Sequence, residues 1–505
     1  MRIALVVGRE LGKNRSWGIV LRHLLSGGHS IVATAQRLPR DLASTASSYE
    51  IFPRDIVTDH YLHVPIQRGS DKKLAAYFKE AAYVETHLIL MAMLSRRDST
   101  GTFRAVDREV VIRRLQLALI SQLMRAQPTH MVFEETPHEV VDFALFRMAE
   151  WLGIPVLHFQ PSLIGPQVVA RSSLRQIVDV SFPLIGPNEL ESARDAIRTI
   201  CLDAFSKLLG GGGTIRLEHQ RRKDYVSSRP GQKPKVVRHL ARRLLKTPSN
   251  HLVNFTGHVF LPEKLQRALE VVMEWSLRQS LQKTIAKLPS KPEITTGQFA
   301  LFALHYEPER TNMPEGLPYR SQLDAVLAAR AFLPPEISLL VKEHYAQQSP
   351  SWRGFVGRSP LTYDFLNEIS GVEVLGVQAD TRALIESAEC VFTMTGKIGL
   401  EAVSAGTPVV YLGQPWWSGM PGSFALTDVD NWATLSGSRT PAQLELEHWV
   451  NAQVSSRLLV GLGATTPEKY ASHTASLPKE FEKLEAQAIL TAIDTMWPEP
   501  SDFAP

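Results

Sequence analysis

The stretch from Cys390 to Gly422, CVFTMTGKIGLEAVSAGTPVVYLGQPWWSGMPG, constrains the fold more than any other part of the chain. An apolar run at Val391 and Phe392 enters a hydroxyl-rich turn, Thr393-Met394-Thr395-Gly396, which leads into helical spacing over 398–405. Gly406-Thr407-Pro408 stops that helix, and 409–412 is β-branched and apolar, as a buried parallel strand is. A glycine-containing turn where a strand gives way to a helix suits an anionic phosphate, because unpaired backbone N–H groups and the helix dipole point there. Thr393 and Thr395 alternate onto one side, Lys397 adds a charge, and Glu401 falls early in the helix.

The same grammar repeats upstream. Strands are predicted at 298–304, 338–341, 372–375, 390–393 and 409–412, separated by helices at 320–332, 360–369, 381–387 and 399–405. Short strands alternating with helices imply a parallel sheet. The N-terminal half opens with a strand at 3–7, Gly8, a polar turn to Ser16, a helix to Leu25 and a strand at 30–34. It continues, after a mostly helical 71–127, with a strand at 131–133, a helix at 140–152 and a strand at 155–159. The glycines of this half form no GxGxxG pattern, so the dinucleotide fingerprint is absent.

A chain of 505 residues exceeds what one core usually holds. The expected architecture is α/β, with two Rossmann-like doubly wound domains facing a cleft and a helical insertion between them. The boundaries are 1–169 for an N-terminal acceptor domain, 170–292 for the partly basic insertion, 293–470 for the C-terminal domain and 471–505 for a helix packing back toward the first. The glycines at 210–213 read as flexible chain, with neither a preceding strand nor a GK[ST] ending.

Apolar content of 44% and charged content of 21% are those of an ordinary globular protein. Cys201 and Cys390 offer no disulfide framework and no zinc spacing, which points to a reducing compartment. MRIALVVGRE reads as a first buried strand rather than a signal peptide, and no apolar run approaches the roughly 18 residues of a membrane span. A cytoplasmic protein, soluble or peripheral on the inner face of the membrane, is expected. Net charge is only +4, yet residues 221–246, from Arg221 to Lys246, hold ten Lys or Arg against one acid, Asp224. They read either as a solvated face or as a contact for anionic lipid or a polyanion. No nucleic-acid-binding motif accompanies them.

Polar residues follow the C-terminal-half strands where doubly wound sheets bind ligands: His305 and Glu307, Lys342 and His344, then Thr395, Gly396 and Lys397. A cationic or hydrogen-bonding side chain at His344 or Lys342 would balance a phosphate leaving group. In the first half, Glu134, Glu135 and His138 follow a strand, and a carboxylate or imidazole there suits a general base. Thr136 with Glu139 reads as a capping box that leaves those three free. Gly8 and the following turn, with Asn14, are placed on the acceptor side. Trp416 and Trp417 read equally as ring-stacking or as core residues.

At these residues the chain resembles bacterial capsule polysaccharide biosynthesis proteins, the family of capsular export and Kdo-transfer proteins with a GT-B-like fold. ALHYEPERTNMPEG is similar to that family's PLHYQPE-type stretch, LLVKEH to its VKEHP segment, and TGKIGLEAVSAGTPVVYLG to its TG-x-x-G-x-EA-x-x-x-G-x-P stretch. PHEVVDFALFRMAEWLGIPVL resembles its PH-x-x-x-D run. The resemblance implies glycosyl transfer from a nucleotide-sugar, without metal or other cofactor, to a surface polysaccharide or its lipid-linked precursor. By position it puts His305, Glu307, Lys342, His344, Thr395, Gly396 and Glu401 at the donor side. The family's His-Pro dyad reads His344-Tyr345 here and Lys397 stands in the glycine turn, so CMP-, UDP- and GDP-sugars all stay open. A sugar-nucleotide epimerase on the same scaffold, or a non-catalytic export and assembly protein, are the alternatives.

Overall fold

A computed structural model of the chain describes residues 1–8, 11, 15–39, 42, 49–53, 60–98, 104–162, 165–180, 190–209, 263–293, 298–349, 352–436, 441–456, 458–462 and 474–498. Asn14, the glycines at 210–213 and the basic residues 221–246 lie outside the described residues. The chain divides into two compact units. Met1–Leu90, Val110–Lys207 and Leu444–Pro505 form the first, and Met91–Glu109 with Leu208–Gln443 the second.

The first unit is built on a seven-stranded sheet with β1 (Arg2–Val6), β2 (Ser30–Thr34), β3 (Glu50–Ile51), β4 (His130–Phe133), β5 (Val156–Pro161), β6 (Gln167–Arg171) and β13 (Leu458–Val460). Their order is β13-β6-β5-β4-β1-β2-β3. The run from β3 to β5 is parallel, while β6 pairs antiparallel with β5 and β13 antiparallel with β6. Helix Ser16–Ser26 buries Trp17, Val20, Leu21 and Leu24, the spacing of one helical face. That face shares a core with Ala488, Ile489, Ala492 and Ile493 of the closing helix Phe481–Met496. The same closing helix carries a wholly buried Glu485, which accepts hydrogen bonds from Ser16 Oγ and from Leu462 N at 3.0 Å.

The second unit holds a six-stranded sheet of β7 (Phe299–Ala303), β8 (Ser338–Lys342), β9 (Val372–Leu375), β10 (Val391–Thr393), β11 (Val409–Tyr411) and β12 (Ser423–Ala425). The order β12-β11-β10-β7-β8-β9 is parallel throughout. Renumbered within the unit it is 3-2-1-4-5-6, the Rossmann winding. Its central strands are near-continuous apolar runs, Ala300-Leu301-Phe302, Leu339-Leu340-Val341 and Val391-Phe392, as burial on both faces requires. The sixth strand, β12, is three residues long and was not predicted.

Three expectations change. Residues 170–292 are not one insertion. Helix Glu191–Leu209 packs Ile197 and Cys201 against Phe481 and Leu484 of the first unit, whereas helix Glu263–Ile285 places Leu281 and Ile285 in the second unit's core. Strand β13 falls inside 293–470 but extends the first sheet, not the second. The capping box at Thr136 is absent. Helix Val140–Trp151 starts later, with Glu139 at its N-cap and no side-chain capping bond, and the buried Thr136 Oγ1 has no partner among the described residues. Among the described residues, no helix is long and apolar enough to cross a membrane.

Candidate functional site

In the second sheet the winding reverses between β7 and β10, the point at which sheets of this winding bind ligands. His305 follows β7 and Thr393 ends β10, and the two meet across this point: His305 Nε2 lies 2.9 Å from Thr393 Oγ1. Gly396 N donates to the same hydroxyl at 3.2 Å. A Cβ on Gly396 would fall 2.7 Å from His305 Nε2 and 2.9 Å from Thr393 Oγ1, which is why the turn needs glycine. Gln322, at the start of helix Gln322–Phe332, clamps the His305 backbone. It accepts from His305 N at 2.6 Å and donates to His305 O at 3.1 Å.

Around this junction sit the other predicted donor-side residues. His344 follows β8 and is partly buried; its Nδ1 accepts from Ala346 N at 3.2 Å and caps the 3-10 turn Tyr345–Gln348. Nε2 therefore carries the ring proton. Burial pushes the His344 pKa down to about 3, helped by the positive field of His305, Lys342, Arg358 and Lys397. Burial first, then the Arg358 charge, lowers His305 to about 4. Both rings are neutral at neutral pH, so His344 acts through an N–H donor rather than a fixed charge. The fixed positive charge comes from Lys342, which is buried, and from Lys397. Burial lowers the Lys397 pKa, with Glu401 and Glu309 opposing the shift. Burial raises both Glu401 and Glu309; Lys397 opposes the first, while Arg310 leads the opposition to the second.

The two threonines expected to present hydroxyls engage them within the protein. Thr393 Oγ1 serves His305 and Gly396, and Thr395 Oγ1 donates to Thr311 O at 3.0 Å. Thr393 is 0% exposed, because its hydroxyl fastens the sheet's switch point instead of facing outward. Trp416 and Trp417 are core residues. A Cβ on Gly399 would meet Trp417 Cη2 at 2.4 Å, so this glycine lets the indole lie against the helix.

Glu307 brings in residues that sequence reading missed. Its carboxylate pairs with Arg358 Nη1, whose Nε reaches Glu343 Oε2 at 2.9 Å and whose Nη2 donates to His305 O at 2.9 Å. Tyr363 OH donates to Glu343 Oε2 at 2.7 Å, and His344 N donates to Glu343 Oε1. A single arginine in the loop GFVGRSP carries no sequence signal for this hub.

The first sheet reverses between β1 and β4. Gly8, just beyond β1, donates its N–H to Glu134 Oε1 at 2.8 Å, so buried Glu134 closes this switch point. His138 Nδ1 lies 2.9 Å from Thr136 O, where its N–H donates, and 3.6 Å from Glu135 Oε1. With Nδ1 held by that carbonyl beside the carboxylate, Nε2 is the nitrogen left to exchange a proton. Glu134 serves structure, while Glu135 and His138 form an acid–imidazole pair. Among the described residues, no group of His, Cys, Asp and Glu is placed to hold a metal ion.

Solved structures similar to the chain include two from Thermosulfurimonas dismutans. Its KpsC beta Kdo 2,4 transferase shares 10% identity, over 65% of this chain and 84% of that one, with a TM-score of 0.27. Its KpsC beta Kdo 2,7 transferase shares 11% identity, over 66% and 89%, with a TM-score of 0.24. A UDP-GlcNAc 2-epimerase from Neisseria meningitidis, bound to UDP-GlcNAc, shares 12% identity over 98% and 99%, with a TM-score of 0.19. No curated protein matches the chain. Residues 311–455 match the family described as capsule polysaccharide biosynthesis protein, a span that takes in β8 to β12 with Lys342, His344, Thr395, Lys397 and Glu401. Over that span, which carries most of the candidate donor side, the chain is similar to capsule polysaccharide biosynthesis proteins.

Proposed function

We propose that the chain is a glycosyltransferase that moves a sugar from a nucleotide-sugar to a capsular polysaccharide or its lipid-linked precursor. The second unit takes the donor. The observation that carries this is the switch point itself, where neutral His305 and His344 stand among Lys342, Lys397 and Arg358 at the carboxyl edge of a Rossmann-wound sheet. As the sugar–phosphate bond breaks, negative charge grows on the leaving phosphate. Preorganised N–H donors and ammonium groups in a partly dry site stabilise that charge more than they stabilise the intact donor. This gives the phosphate its counter-charge without a metal ion. Glu401 is assigned to ribose or sugar hydroxyls. The first unit takes the acceptor, and His138 Nε2, oriented by Thr136 O and Glu135, receives the hydroxyl proton as the new glycosidic bond forms.

The test is nucleotide release from a panel of CMP-, UDP- and GDP-sugars, with and without a lipid-linked glycan acceptor and with a chelator present. One donor is expected to turn over only when acceptor is added, and the chelator should leave the rate unchanged. His344→Ala is expected to abolish transfer with the melting temperature within a few degrees. Calorimetry showing no donor binding across the panel would overturn the reading, as would acceptor-free conversion of the donor into an isomeric nucleotide-sugar.

A further inference from the structure

We infer that Arg358 is a positioning residue for the donor site, acting through the backbones of His305 and His344. Its guanidinium stands between the loops that leave β7 and β8. It donates to His305 O, to Glu307 from the first loop and to Glu343 from the second, and Glu343 in turn accepts the His344 N–H. The two histidines are thus tied to one planar cation, His305 through its carbonyl and His344 through a carboxylate. Arginine suits this task because its fixed fork of donors spans several acceptors at defined angles, which a lysine ammonium does not.

The surrounding loop is shaped to deliver that fork. Arg353 N donates to Tyr306 OH at 3.0 Å, and Gln347 Nε2 bridges Glu307 O at 3.0 Å and Gly354 O at 2.8 Å. Gly357 lies against Glu307 so closely that a Cβ would sit 2.5 Å from the Glu307 Cβ and 2.6 Å from its carbonyl carbon. Gly354 is as tight, with a Cβ 2.3 Å from Gln347 O. Residues 353–358 therefore form a clasp that fastens the β7 loop to the β8 loop. Arg358 and Glu343 are both buried, so the charges face each other with little water between them. Two carboxylates against one guanidinium leave the hub no surplus positive charge, so the clasp sets geometry while Lys342 and Lys397 supply the charge for phosphate.

The inference rests on the donor-site reading, and the experiment separates the two. Nitrogen-15-labelled histidine spectra of the full chain report ring tautomers without any donor. In the unaltered protein the His344 ring is expected as the neutral Nε2–H form, because Nδ1 accepts from Ala346 N. Arg358→Lys keeps the charge and removes the fork. Expected are a His344 signal mixed between the Nδ1–H and Nε2–H tautomers and a donor dissociation constant raised at least tenfold. Tyr363→Phe, which removes one hydrogen bond to Glu343 and no charge, is expected to shift the same signal in the same direction, with donor affinity falling about threefold.

Unchanged histidine signals and donor affinity within twofold in a folded Arg358→Lys protein would leave Arg358 a stability element only and overturn the inference. If Arg358→Lys does not fold, Tyr363→Phe decides by the same two readings. If the unaltered protein binds no donor, the proposed function fails, while the histidine spectra still decide the clasp.

Discussion

Acidification from pH 7 to 5 should destabilise the second unit through its two neutral histidines. The folded values, about 4 for His305 and about 3 for His344, lie below the value of about 6.5 expected in the unfolded chain. Between those limits the unfolded chain binds protons that the folded chain refuses, so stability falls as pH falls. It is complete above about pH 6.5 and drains away down to about pH 4 for His305 and about pH 3 for His344. At pH 5 the unfolded rings are about 1.5 pH units below their pKa, which at about 1.4 kcal/mol per unit costs about 2 kcal/mol for each histidine. Glu309 and Glu401, with raised folded values, act in the opposite sense as pH falls. They cancel when two proteins are compared at the same pH. His344→Asn is the comparison of choice, because asparagine can still cap the 3-10 turn but does not titrate. Urea unfolding followed by fluorescence of Trp352, Trp416 and Trp417 should show the unaltered protein losing about 2 kcal/mol more than the variant between pH 7 and 5. Equal losses in the two proteins would refute the assignment of a neutral, field-depressed His344.

Gly396→Ala should drive a methyl group between His305 and Thr393; losing that buried hydrogen bond and overpacking the turn together cost about 2–5 kcal/mol, read as a lower melting temperature in calorimetry. Glu134→Ala should cost about 1–3 kcal/mol because Gly8 N loses its acceptor, whereas His138→Asn should leave the melting temperature nearly unchanged and abolish transfer. The chain is expected to bind anionic vesicles through residues 221–246 with an affinity that falls steeply between low and physiological salt, measured by co-sedimentation; neutralising those Lys and Arg should remove the binding.

The parallel strands of both sheets apart from β3 and β12 were legible because buried strands in such sheets are short apolar blocks bounded by glycine, proline and polar turns. Val391-Phe392 and Leu339-Leu340-Val341 are of this kind. Their carboxyl-end residues followed from that placement. What periodicity does not encode is the partner of a helix. Glu191–Leu209 and Glu263–Ile285 both fall in what reads as one helical insertion, yet one packs on Phe481 and the other joins the second unit's core. Strands β12 and β13, each three residues long, were not predicted, although β10 and β11 are as short. Arg358 was invisible for another reason. Its role depends on Glu307 and Glu343, which reach it only after β7 and β8 pair, and no local spacing links the three.

A common rule accounts for which predicted residues are left free for chemistry. In each sheet the two strands at the reversal of winding must end side by side, and the backbone polar groups there cannot all join the ladder. The first sheet closes this point with Gly8 N on Glu134, the second with His305 on Thr393. The polar residues nearest the reversal are therefore engaged in closing it, and their substitution should unsettle the sheet before it touches turnover. Reactive capacity begins one step further out, at His138, whose Nδ1 is held by Thr136 O, and at His344, whose Nδ1 accepts from Ala346 N and whose Nε2 carries the proton. In the proposed transfer the first would take a proton and the second would give a hydrogen bond.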